Sequence, residues 1–334
     1  MMNSNPCQKV QIQFLLASLL FCGLPTIAHS RLDPPSETLF ALGGEDSRIR
    51  VVRVFSSSQA KLAASDYGWP EEVHWSPDRK WVLLRTRSTP LYTDSTKPAD
   101  FPPLQLLRVD AQTLKLYPPT KSEKFPLYWK NAEALRVRAF DWSSDGRTLV
   151  AITVTGEMRL YNLVTGKSRQ LRPAWREPDA LEAIALSPDG KNLAYVRSSP
   201  HRGLNPDWDD AFYPTLRVRS IETGKERTLG YGGDPRWSND GKRVLCRFGT
   251  GIEIREYRVE GKGYKILGKF AMQDCNFAIY SRDGREVLYL DMKTRDGQNY
   301  DKRGIYALDL KTKERRRLVS IKEMEFTPGE HWAN

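Results

Sequence analysis

Five times along the chain one short phrase returns: Trp75-Ser76-Pro77-Asp78-Arg79-Lys80, Trp142-Ser143-Ser144-Asp145-Gly146-Arg147, Leu186-Ser187-Pro188-Asp189-Gly190-Lys191, Trp237-Ser238-Asn239-Asp240-Gly241-Lys242 and Tyr280-Ser281-Arg282-Asp283-Gly284-Arg285. The shared aspartates lie 67, 44, 51 and 43 positions apart. A period of about 40 to 50 residues with strand-like sequence between the marks is what a β-propeller blade produces. Each phrase reads as a tight turn. Its large apolar residue packs between blades, Ser and Asp bond backbone groups across the bend, Gly takes the φ > 0 position, and a basic residue returns the chain to solvent. The first copy has Arg79 where the others have Gly, so that turn is expected to be strained or of another type.

A strand follows every copy: Trp81 to Leu84, Thr148 to Ile152, Asn192 to Val196, Arg243 to Cys246 and Glu286 to Leu290. These runs are β-branched, aliphatic and aromatic, as strands prefer. A second hairpin completes each repeat, as in Leu160-Tyr161-Asn162-Leu163 with Thr165-Gly166-Lys167, or Leu216 to Ser220 with Thr223-Gly224-Lys225. Four strands per repeat follow.

The Ser-Pro-Asp-Gly-Lys phrase, the strand after it and the Thr-Gly-Lys hairpin resemble the repeats of TolB-type propellers, with related repeats in the propeller domains of prolyl oligopeptidase-type peptidases. The resemblance covers roughly residues 36 to 334. It implies a propeller and a protein partner, engaged through the channel mouth or the N-terminal segment. No counterpart of the additional N-terminal α/β domain of TolB-type proteins is expected within these residues, and the fold alone does not fix an activity.

Five complete copies leave two orphan ends. Leu39 to Leu42, Ile49 to Val54 and Gln59 to Leu62 supply three strands of a blade without its first, and Met324 to Gly329 resembles the missing strand and its turn. The expectation is an all-β, six-bladed β-propeller of four-stranded antiparallel blades, closed by a blade shared between the N- and C-termini, which would remove exposed sheet edges. Deleting residues 320 to 334 should then open the ring and lower its melting temperature.

Residues 1 to 30 read as a cleaved export signal: a short polar start with Lys9, an apolar run from Val10 to Leu20, and small residues at Ala28 and Ser30. The apolar run is shorter than the ~20 residues a membrane span needs, and Phe21 spoils a lipoprotein box ending at Cys22. The mature domain is therefore residues 31 to 334, periplasmic or secreted, without a transmembrane span, and monomeric. Cys246 and Cys275 survive export, and an inter-blade disulfide between them and two buried free thiols are equally compatible with the pattern. The formal charge of +11 falls to +10 once Lys9 is removed, which suits an acidic envelope polymer or an acidic protein partner, or simply a basic coat on strand edges. No nucleic-acid recognition module is visible.

Long loops on alternate blades, Ser88 to Leu104, Ser198 to Thr215 and Thr294 to Arg303, are expected to ring one face of the channel. The candidate partner contacts are Tyr92 in the first and Asp207, Trp208, Asp209, Asp210, Phe212 and Tyr213 in the second. The carboxylates could serve a hard cation and the rings a sugar or peptide, but the spacing does not match a calcium loop, so the preferred reading is structural: the aromatics plug the channel mouth and the acids solvate the loop. No Gly-x-Ser-x-Gly elbow, phosphate loop or dinucleotide fingerprint is present, and no cofactor is expected. His74 and His331 are expected on neighbouring blades, too sparse a set to assign a metal. The residues favour a non-enzymatic scaffold binding a protein or polymer through its long-loop face; the alternative is a metal-assisted propeller lyase or hydrolase acting on acidic glycans.

Overall fold

The computed structural model describes residues 27–29, 38–43, 48–56, 59–66, 69–76, 78, 80–87, 102–122, 124–133, 135–173, 180–199, 213–249, 253–269, 275–291 and 303–320. In every copy of the phrase the serine hydroxyl donates to the aspartate two residues on, at 2.7 Å for Ser76 and Asp78 and 2.6 Å for Ser143 and Asp145. The same hydroxyl oxygen accepts the N–H of the residue five positions on, the first of the next strand. The aspartate accepts the N–H of the basic residue that ends the phrase. One side-chain pair thus satisfies the backbone of the bend and fixes where the following strand begins. Gly146, Gly190, Gly241 and Gly284 take φ between 67° and 71°, as expected; Arg79 lies outside the described residues.

Each repeat closes into a four-stranded antiparallel sheet. Blade 1 comprises Trp69–Trp75, Trp81–Arg87, Gln105–Val109 and Leu116–Tyr117. Blade 2 comprises Val137–Trp142, Thr148–Thr153, Met158–Asn162 and Ser168–Arg172. Blade 3 comprises Ala180–Leu186, Asn192–Ser199, Tyr213–Ser220 and Glu226–Tyr231. Blade 4 comprises Gly233–Trp237, Arg243–Phe248, Glu253–Arg258 and Tyr264–Lys269. Blade 5 comprises Cys275–Tyr280, Glu286–Asp291, Gly304–Asp309 and Arg315–Ser320. First strands of successive blades approach one another, so they line the axis and the fourth strands form the rim.

The expected blade count is corrected. The structure shows five repeat-bearing blades, not six, and among the described residues no blade is shared between the termini. A separate four-stranded sheet precedes blade 1, but all its strands come from one end of the chain: Ile27–His29, Thr38–Gly43, Arg48–Ser56 and Gln59–Asp66. Ile27, Ala28 and His29 pair with Leu42, Ala41 and Phe40, taking the place reserved for the C-terminal segment. Local pairing across a short connection wins over a partner at the far end of the chain, as loop-closure entropy favours. Residues 321–334 lie outside the described residues, and the proposed clasp loses its basis.

The middle of the second strand of each blade is apolar because both its faces are covered. Leu193 and Tyr195 pack on Val150, Ile152 and Met158 of blade 2, whereas Ala194 and Val196 pack on Trp237, Val244 and Cys246 of blade 4. Truncating one such side chain to alanine costs roughly 2–5 kcal/mol. A helical turn that the strand pattern does not announce, Leu127–Trp129 and Lys130–Glu133, covers the approach to blade 2. There Trp129 Nε1 donates to Gly146 O at 3.0 Å and Asn131 Nδ2 to Leu163 O. On the rim, Arg169 and Arg227 reach from fourth strands to carbonyls of the next blade, Ile221 O and Val259 O. Part of the basic coat is therefore inter-blade bonding.

Candidate functional site

The residue just ahead of the apolar mark of each phrase is His74, Asp141, Ala185, Arg236 or Ile279. The first four of these border one small cavity near the axis, together with Leu186, Pro188, Trp237 and Asn239. Strand alternation places them there: Trp75, Trp142 and Trp237 turn into the blade interfaces, so their neighbours turn the other way. The cavity measures about 30 Å³, room for roughly two water molecules rather than a sugar ring or peptide.

Its charged wall is built by blades 1 and 2. His74 is buried at 3% exposure, with Nε2 3.1 Å from Glu72 Oε1 and Nδ1 3.2 Å from Asp141 Oδ1. Glu72 Oε2 lies 3.3 Å from Arg85 Nε, and Glu72 Oε1 also accepts the N–H of Phe140 at 3.3 Å. Asp141 in turn accepts the N–H of Leu186, in blade 3, at 2.8 Å. One hydrogen-bonded chain therefore runs through the inner strands of three blades. The Phe140 ring lies 4.5 Å from the imidazole, centroid to centroid, and shields it further.

Burial by itself opposes a charge on His74, but the hydrogen bonds to Asp141 and Glu72, with the charges of both carboxylates, outweigh it and hold its pKa above the usual value. Protonated, the imidazole bonds Glu72 through Nε2 and faces Asp141 with Nδ1 at 3.2 Å, and with Arg85 it balances the two carboxylates. The carboxylates sit on opposite sides of the ring, so they do not converge with a ring nitrogen on one point. Among the described residues no group of three or more His, Cys, Asp or Glu is arranged to hold a metal ion. The arrangement suits a charge-balanced tie better than a general base, which needs an unoccupied nitrogen and a pKa near the working pH.

The loop candidates stand elsewhere. Tyr92, Asp207, Trp208, Asp209, Asp210 and Phe212 lie outside the described residues, as does His331. Tyr213 opens the third strand of blade 3, but its side chain is not described. Cys246 is a free, buried thiol, pushed by that burial up to about 12; Cys275 begins the first strand of blade 5, its side chain outside the described set.

Solved structures resemble this arrangement at low sequence identity. The crystal structure of TolB from Acinetobacter baumannii superposes with a TM-score of 0.51 and 14% identity over 91% of this chain. The fold is that of a TolB-type β-propeller. This chain spans 66% of the length of that TolB chain. A chain of a nidogen/laminin complex superposes at a TM-score of 0.54 and 13% identity, covering 85% of this chain and 94% of its own length. No protein-family model and no curated protein matches the chain. None of the helices among the described residues is long and apolar enough to cross a membrane.

Proposed function

We propose that this TolB-type propeller is an exported scaffold that binds a protein or polymer partner in the cell envelope through its long-loop face. The observation that carries this reading is the axial site. His74, Glu72, Asp141 and Arg85 are engaged with one another, and the cavity beside them admits water only, so binding falls to the outer surfaces. The signal-like residues 1 to 30 support export; processing near Ser30 would remove the strand Ile27–His29 from the N-terminal sheet and leave Leu39 to Leu42 as its edge, and the net charge of +10 that remains supports an acidic character in the partner.

The test is a pull-down from envelope extract with the exported protein, beside a variant in which residues 205–213 are replaced by a Gly-Ser linker. A defined protein or polymer retained by the first and lost by the second supports the reading and places contact on that loop. Equal retention by both, or none by either, removes the loop face from the proposal. The N-terminal mass of the exported protein tests processing; a chain still beginning at Met1 overturns it.

A further inference from the structure

The five blades share one register, so equivalent positions can be compared. Val109, Leu163, Ile221, Val259 and Leu310 each donate N–H to the carbonyl of the basic residue ending their own blade's phrase. Two residues earlier stand Leu107, Tyr161, Arg219, Tyr257 and Leu308. Four are apolar or aromatic and at least partly buried, and only blade 3 carries a charge there. On the facing fourth strands, Arg172, Gly230, Gly268 and Val319 pair with Met158, Leu216, Ile254 and Ile305. Of these four blades only blade 2 carries a charge at this position. Between blades 3 and 4 the two positions form a fitted pair: a Cβ on Gly230 would fall 2.6 Å from the ring of Tyr257. Between blades 2 and 3 the same two positions are Arg172 and Arg219, two cations aimed at one spot.

Among the described residues one carboxylate stands between them. Glu226 Oε1 is 2.9 Å from Arg172 Nη1 and 2.7 Å from Arg219 Nη1, while its Oε2 is 3.7 Å from Arg217 Nη1. Arg172 also donates to Tyr195 Oη at 3.0 Å, and Arg219 Nη2 donates to Leu171 O at 2.7 Å. Among the described residues these three guanidiniums and one carboxylate carry two excess positive charges. The buried Nε–H groups of Arg217 and Arg219 have no hydrogen-bond partner. The four charged side chains remain 18–25% exposed, so the cluster is open to solvent.

We propose that this cluster, at the outer end of the interface between blades 2 and 3, is a binding site for a phosphate-type dianion. Forked guanidinium donors match a tetrahedral oxyanion, and a dianion balances the cluster. A like-charged pair at positions that other blades fill with apolar side chains or glycine lowers stability unless something occupies the site, which separates a ligand site from a packing solution.

The test uses the full-length protein, with thermal unfolding followed in inorganic phosphate and in chloride of equal ionic strength, which equalises screening. A saturable rise of the midpoint in phosphate beyond that in chloride is expected. The variant carrying Arg172→Gly and Arg219→Tyr, the pair used one interface along, should fold and show at least roughly tenfold weaker phosphate binding. No rise beyond chloride, or an equal rise in the variant, overturns the proposal. If that variant does not give a folded spectrum, Arg217→Gln takes its place with the same expectation. Vesicles containing phosphatidic acid, beside phosphatidylglycerol vesicles of equal surface charge, distinguish the source. Variant-sensitive binding to phosphatidic acid alone assigns a lipid headgroup; phosphate binding without it assigns a free oxyanion.

Discussion

The interface between blades 1 and 2 and the one between blades 3 and 4 rest on the same backbone plan, yet one is held near the axis by charge and the other by apolar fit. The first joins Glu72, His74 and Arg85 to Asp141. The second packs Trp237, Val244, Cys246 and Tyr257 on Ala185, Ala194, Val196, Leu216 and Val218, with Trp237 Nε1 donating to Ala185 O at 2.9 Å. The comparison separates what the repeat imposes from what each interface is free to change. The Ser-x-Asp turn is imposed, because it closes the hairpin within one blade. The side chains facing a neighbouring blade are free, because only complementarity with that neighbour constrains them.

The largest effect expected is from Asp141→Ala, which leaves a buried imidazolium and the Leu186 N–H without their acceptor and should cost roughly 3–5 kcal/mol. This loss is pH-dependent. The folded pKa of His74 is raised, so its ion pairs contribute fully below its unfolded value of about 6.5 and fade as pH rises through the folded value. Denaturant titrations of wild type, Asp141→Ala and His74→Gln across pH 5 to 9 check this; a wild-type pH slope unchanged by His74→Gln would break the charged half of the comparison. At the apolar interface, Tyr257→Phe removes the hydroxyl that donates to Tyr231 O at 3.0 Å, and roughly 1–2 kcal/mol should be lost with no pH dependence beyond wild type.

The shared turn offers an internal control. Ser76→Ala and Ser238→Ala each remove the hydroxyl that joins Asp to the next strand, and each should cost roughly 1–2 kcal/mol. Costs that differ by more than this would mean that the turn is not interchangeable between charged and apolar blades. The smallest effect is expected away from both interfaces. Lys313 holds φ of 67° where blades 2 and 3 have Gly166 and Gly224, so Lys313→Gly should stabilise by up to about 1 kcal/mol, visible as a small rise in melting temperature.

What the sequence made legible follows the same division. The turns, the strands after them and the four-stranded repeat are encoded locally, by Ser and Asp two residues apart and by runs buried on both faces. Blade number was not legible, because the strand beginning the N-terminal sheet, Ile27–His29, falls in a segment that reads as export signal. The axial cluster was missed because His74 meets Asp141 across 67 positions and Glu72 meets Phe140 across 68. Its one local sign was a charged or titratable residue directly ahead of a phrase tryptophan, at His74-Trp75 and Asp141-Trp142. Arg172 and Arg219 become conspicuous once strand register supplies the columns in which to compare repeats.

The burial of Cys246 has a practical consequence. With its thiol held up to about 12 and its sulfur sealed 3.8 Å from Tyr231 O, it stays protonated and shielded from alkylating reagents while blades 3 and 4 remain closed. Modification at that residue, followed by peptide mass, therefore clocks the parting of those two blades, a native chemical stopwatch that needs no added label.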